Sequence, residues 1–142
     1  MKLSQSIYYV DPETENALVF KNTFEGLRHS VQNFSDGHEL IHNLEFSTQL
    51  PDIIFLAYQM PVINGKEVLD IIKESKQWHK IPIVVLSDVF PRKMVRRYIK
   101  SGVNLLMKTP RHKNYISDFN QVIHSKFNPP EEFKVNVLSE SF

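Results

Sequence analysis

Histidine, lysine and arginine are the residues whose spacing in this chain of 142 residues could support chemistry. Cysteine is absent, so disulfides, thiol nucleophiles and zinc thiolates are excluded. Six histidines are present: His29, His38, His42, His79, His112 and His124. Only His38 and His42 stand four apart, where a helix would bring both imidazoles to one face and a metal could bridge them. No third ligand stands nearby, so the pair reads as surface histidines, and neither a metal nor a cofactor is expected. The cations are more concentrated. Residues 89–117 hold Arg92, Lys93, Arg96, Arg97, Lys100, Lys108, Arg111 and Lys113 and no acid, a charge of +8. The rest of the chain sets 9 of the 17 basic residues against all 16 acids, a charge of −7, so the net +1 hides a strong asymmetry. Arg92, Arg96 and Lys100 recur every four residues and would share one side of a helix. Such a face attracts an acidic partner. With the overall charge near neutral, nucleic acid is not an expected one.

The elements that position these residues follow from apolar patterning. The length suits one domain with a real core, and 42% hydrophobic with 23% charged residues is an ordinary globular balance. No apolar run is long enough to cross a membrane, and MKLSQSIYYVDPE lacks the apolar core of a signal peptide, so a cytoplasmic location is expected. Residues 6–10 (SIYYV) read as a strand. Asp11, Pro12 and Glu13 then read as a helix start, with Asp11 as N-cap and Pro12 first in the helix. Ala17, Phe20, Phe24 and Leu27 supply that helix's apolar face. A weaker strand over 30–34 precedes a helix marked by Leu40, Ile41 and Leu44. The runs IIFL (53–56) and IPIVVL (81–86) are continuously apolar, as strands covered on both faces of a parallel sheet are. Val68, Leu69 and Ile72 mark a third helix, and Trp78 beyond it should pack a loop or the sheet edge. Met94, Val95, Tyr98 and Ile99 mark a fourth helix ending at Gly102. Residues 104–107 read as a fifth strand, and Tyr115, Phe119, Val122 and Ile123 as a fifth helix. Five strand–helix units in alternation predict an α/β fold: one doubly wound parallel sheet with helices on both faces, over residues 5–127. Residues 128–142 read as a C-terminal tail, too short for a second domain.

Several motifs in this order resemble one family. They are Tyr9-Val10-Asp11, Asp36-Gly37, PDIIFLAYQMPVING over 51–65, IPIVVLS over 81–87 and GVNLLMK over 102–108. Together they resemble the receiver domains of two-component response regulators, which have the flavodoxin-like (βα)5 fold. The resemblance implies phosphoryl transfer at the C-terminal ends of the strands, the usual ligand edge of such sheets. It further implies a magnesium ion held by two acids after the first strand and by a phosphoacceptor aspartate after the third, with a hydroxyl after the fourth strand and a lysine after the fifth.

Mapped residue by residue, the resemblance puts the first acid on Asp11 and the second on Pro12, which has no carboxylate. The phosphoacceptor falls on Ala57, whose methyl group cannot attack a phosphohistidine. The hydroxyl falls on Ser87, the lysine on Lys108, and the switch aromatic on Leu105. The neighbours Leu56 and Tyr58 cannot substitute for Ala57, because in an extended chain they point to the other side. Glu13 could reach a metal only by swinging in; its plain role is a first-turn acid favouring the helix dipole. Lys108 is expected to form a structural ion pair with Asp11, and Ser87 to cap the turn before Pro91. The family's cis proline after the lysine is Thr109 here, with Pro110 one place later. A cis bond before a residue other than proline costs about 2.5–4 kcal/mol, so Lys108–Thr109 is expected to be trans.

The sequence thus reads as a degenerate receiver, a pseudo-receiver without enzymatic activity that serves as a phosphorylation-independent interaction module. Arg92, Arg96 and Lys100 are its expected contacts with an acidic protein partner or another component of the signalling system. The face of the fourth helix, fifth strand and fifth helix is also where a homodimer would form. A flavodoxin-like cofactor carrier is the other reading of the fold. It would need a phosphate-cradling loop after the first strand, whereas Asp11 to Glu15 would repel phosphate.

Overall fold

Five apolar runs form the strands β1 (Ser6–Val10), β2 (Ser30–Phe34), β3 (Ile53–Ala57), β4 (Ile83–Ser87) and β5 (Leu105–Lys108). They alternate with the helices α1 (Thr14–Gly26), α2 (Gly37–Phe46), α3 (Gly65–Glu74), α4 (Arg92–Lys100) and α5 (Tyr115–Ile123). A short 3-10 turn, His112–Asn114, precedes α5. The computed structural model describes residues 4–60 and 63–127. The expected tail over 128–142 lies outside the described residues. All strand pairs are parallel, in the order β2-β1-β3-β4-β5, so the predicted doubly wound, flavodoxin-like (βα)5 arrangement is the one that forms.

The period of two along each strand sorts the core into two layers. Ile7, Tyr9, Phe55, Val84 and Met107 face one way and pack with Phe20 and Phe24 of α1 and Phe119 and Val122 of α5. Tyr8, Val10, Ile54, Leu56, Val85 and Leu106 face the other way, against Leu40 of α2, Leu69 and Ile72 of α3, and Met94, Val95 and Tyr98 of α4. Trp78 is buried in this second layer and closes the α3–β4 connection. Among the described residues, no helix is long and apolar enough to cross a membrane.

Three boundaries differ from the sequence reading. The first helix starts at Thr14, not Pro12, because the Asp11 carboxylate turns back on the loop and accepts the Glu13 N–H at 2.9 Å. This is a side-chain turn that holds residues 11–13 outside the helix. Leu27, assigned to the buried face of α1, caps the helix and is 44% exposed. Ile81 belongs to the turn after α3, where its N–H reaches the Trp78 carbonyl at 3.0 Å, so β4 begins two residues later.

The helix ends are capped by their own sequence. Asn64 and Glu67 form a reciprocal capping box at the start of α3. α4 closes with the Gly102 N–H on the Ile99 carbonyl and the Val103 N–H on the Tyr98 carbonyl. That pattern needs a left-handed residue, supplied by Gly102 at φ +91°. Gly65 is required for space. A Cβ there would lie 2.9 Å from the Tyr98 hydroxyl, which takes the Lys66 backbone N–H. Gly65→Ala is therefore expected to destabilise the fold by about 1–3 kcal/mol, the cost of overpacking a filled site. Urea denaturation followed through Trp78 measures this, and an unchanged midpoint would show that the hydroxyl can simply move aside.

Candidate functional site at the C-terminal edge of the sheet

Asp11, Ala57, Ser87 and Lys108 stand at the C-terminal ends of β1, β3, β4 and β5, the edge where open α/β sheets bind ligands. The register sets Ala57 beside Leu86 and Ser87 beside Lys108. A pocket of about 220 Å³ opens there, lined by Ala57, Tyr58, Gln59, Ser87, Asp88 and Thr109. Lys108 lines a neighbouring cleft of about 330 Å³ with Thr109, Arg111, His112 and Asp118.

Asp11 and Ser87 have internal roles here. Besides the Glu13 N–H, the Asp11 carboxylate takes the Tyr9 hydroxyl at 3.4 Å and the Asn16 amide at 3.5 Å. Burial, with the Asp11 charge adding to it, pushes the Tyr115 phenol up to about 12. Ser87 is buried, donates to the Val89 carbonyl at 2.6 Å and accepts the Val89 N–H at 3.2 Å, so it caps the turn ahead of Pro91 as expected. Leu105 is buried in the layer beneath α1 and α5. No cis peptide bond occurs among the described residues, so Lys108–Thr109 is trans, as expected.

The expected Asp11–Lys108 ion pair does not form among the described residues. With β3 and β4 between them, β1 and β5 lie three strand spacings apart, roughly 14 Å. The acid that does meet a cation on this edge is Asp88, 2.9 Å from Arg111, and sequence reasoning missed it. The donors do not suit a magnesium ion. Pro12 and Ala57 offer no side-chain oxygen, Asp11 is engaged locally, and no group of three or more ligand-type residues occurs among the described residues. His42 instead packs its ring on Phe46, with centroids 4.8 Å apart.

The basic residues of α4 lie where the sequence placed them, on the outer side. Arg92, Lys93, Arg96, Arg97 and Lys100 are exposed, while Met94, Val95 and Tyr98 face the core. None of the five has an ion-pair partner among the described residues. They do not form one uniform stripe: Arg97 and Lys100 line a groove of about 590 Å³ between α3 and α4, and Arg92 and Arg96 do not.

Lys73, on the α3 wall of that groove, carried no sequence signal. Its ammonium donates to Asn104 Oδ1 at 2.8 Å and to the carbonyls of Ile81 at 3.2 Å and His79 at 3.3 Å. Burial pulls its pKa down to about 8. Between pH 8 and about 10.4 the unfolded chain then holds a proton that the folded one has released, so this group's contribution to stability rises with pH. Wild type is expected to gain on Lys73→Met between pH 7 and pH 10 in paired urea denaturations. A constant difference between the two would contradict this.

Residues 7–118 match the family model for the response regulator receiver domain. The chain belongs to that family. Among curated proteins, this receiver domain is 27% identical over 110 residues to a probable methanogenesis regulatory protein, FilR2, of Methanothrix harundinacea, covering 73% of this chain and 71% of that one. Among solved structures, it resembles the chemotaxis response regulator CheY4 of Vibrio cholerae with a TM-score of 0.74, at 18% identity, over 84% of this chain and 98% of that one. It also resembles the phosphorylated cyanobacterial phytochrome response regulator RcpA, with a TM-score of 0.71 at 23% identity, over 84% of this chain and 89% of that one. As a receiver domain of two-component signalling, it carries Ala57 at the end of its third strand.

Proposed function

We propose that this receiver domain is a pseudo-receiver, a phosphorylation-independent interaction module that docks an acidic protein partner through α4. Asp11, Pro12, Ala57, Ser87 and Lys108 are its degenerate phosphorylation site, and Leu105 fills the switch position. Arg92, Arg96 and Lys100 belong to its docking face. The observation that carries the reading is the set of five exposed cations on α4, none with an ion-pair partner among the described residues. A charged helix that served only solubility would mix both signs.

Two further features support it. Attack on a phosphohistidine needs an oxygen nucleophile at the end of β3, and Ala57 presents a methyl group. The attitude of α4 is fixed by contacts that need no phosphoryl group. Tyr98 meets the Tyr58 ring edge-on, with centroids 5.8 Å apart, and holds the Lys66 N–H through its hydroxyl. The docking face is thus presented without a switch. Incubation with acetyl phosphate and Mg²⁺, followed by intact mass measurement, tests the chemical half. The mass should stay unchanged, and a stoichiometric phosphate adduct would refute it.

A further inference from the structure

We infer that the acidic partner is a peptide segment lying in the groove between α3 and α4, its carboxylates seated on Arg97 and Lys100, and not across the face of α4, β5 and α5. This rests on the reading of α4 as a docking face. Arg97 and Lys100, Lys66 and Lys73, and Asp70 and Glu74 line the groove, four cations against two acids. Lys66 is held by Asp70 at 2.7 Å, which leaves Glu74 as the acid not engaged there. Lys73 is turned inward onto three neutral oxygens and has no carboxylate partner among the described residues. Arg97 and Lys100 remain exposed and unpaired among the described residues. The groove therefore carries surplus positive charge in a concave setting, which favours a carboxylate. Beyond β5, Arg111 is already paired with Asp88 at 2.9 Å.

The mixed lining also selects the kind of partner. A nucleic acid presents a uniform row of phosphates and would meet Glu74 as well as the cations. A peptide can set carboxylates against α4 and a neutral or basic side chain against Glu74.

The test is fluorescence anisotropy at low salt on the intact chain. One probe is a labelled helical peptide with glutamates four apart on one face and uncharged residues elsewhere; the other is a labelled oligothymidine. Arg97→Glu with Lys100→Glu should weaken peptide binding by about a hundredfold, and Arg92→Glu with Arg96→Glu by no more than about tenfold. Glu74→Gln should strengthen it by about threefold, a gain that loss of structure cannot produce. Circular dichroism confirms that each variant is folded. If Arg92 and Arg96 prove the sensitive pair, the groove assignment falls while the acidic-partner reading stands. If neither pair matters, both fall. Oligothymidine binding more tightly than the peptide would overturn the choice of a peptide.

Discussion

Phe20→Ala is expected to remove about 3–5 kcal/mol of stability, the range for truncating a fully buried aromatic ring. Phe20 is completely buried at the centre of the layer between the sheet and helices α1 and α5. Its ring stacks on Tyr9 with centroids 4.1 Å apart and meets Phe119 edge-on at 5.0 Å. It also touches Phe24 at 4.6 Å and Phe55 at 5.6 Å. The substitution would leave a cavity walled by rings from both the strands, Tyr9 and Phe55, and the helices, Phe24 and Phe119. A loss of this size is a large part of the total stability of a small domain. Trp78, the single tryptophan, lies in the opposite layer and reports on the experiment from across the sheet. Tryptophan fluorescence and far-UV circular dichroism should shift together to lower urea. A shift below about 1 kcal/mol would mean that the aromatic layer is not packed as described.

Reversing the charge of Arg92, Arg96 and Lys100 together is expected to weaken binding of an acidic peptide at low salt by about ten- to a hundredfold, most of it through Lys100 in the groove. Each exposed pair contributes up to about 1 kcal/mol, and reversal replaces attraction with repulsion. The three side chains are exposed and have no ion-pair partner among the described residues, so the urea midpoint should stay close to wild type. Salt should mimic the variant, since screening acts on the same charges. Equal affinity of variant and wild type at low salt would reduce the α4 cations to a solvated surface.

Much of this fold was legible in the sequence because β3 and β4 are covered on both faces. IIFL and IVVL have no polar side chain to hide, as suits strands of a parallel sheet between helices. The four-residue repeat of Arg92, Arg96 and Lys100 likewise placed them outside α4, because Met94, Val95 and Tyr98 filled the inner face. Contacts across the sheet were not legible. The Asp11–Lys108 pairing assumed nearness that the strand order denies, and strand order is not written in the alternation of elements. Lys73 and Asn104, 31 residues apart, meet only because α3 packs over the start of β5. The same packing sends Lys100 to the groove while Arg92 and Arg96 stay outside it, a division that residue spacing alone cannot give. At the start of α1, Asp-Pro-Glu had sound capping chemistry, yet Asp11 used it to close a turn.

The claim that this receiver domain works without phosphoryl chemistry is tested most directly by titrating the ¹⁵N-labelled protein with beryllofluoride, a phosphoryl mimic, in the presence of Mg²⁺. Without a nucleophilic oxygen at Ala57 and with Asp11 engaged locally, the amide signals of Asp11, Ala57, Ser87 and Lys108 should not move, and those of α4 should stay with them. Saturable shifts that begin at Asp11 and spread to α4 would contradict the account.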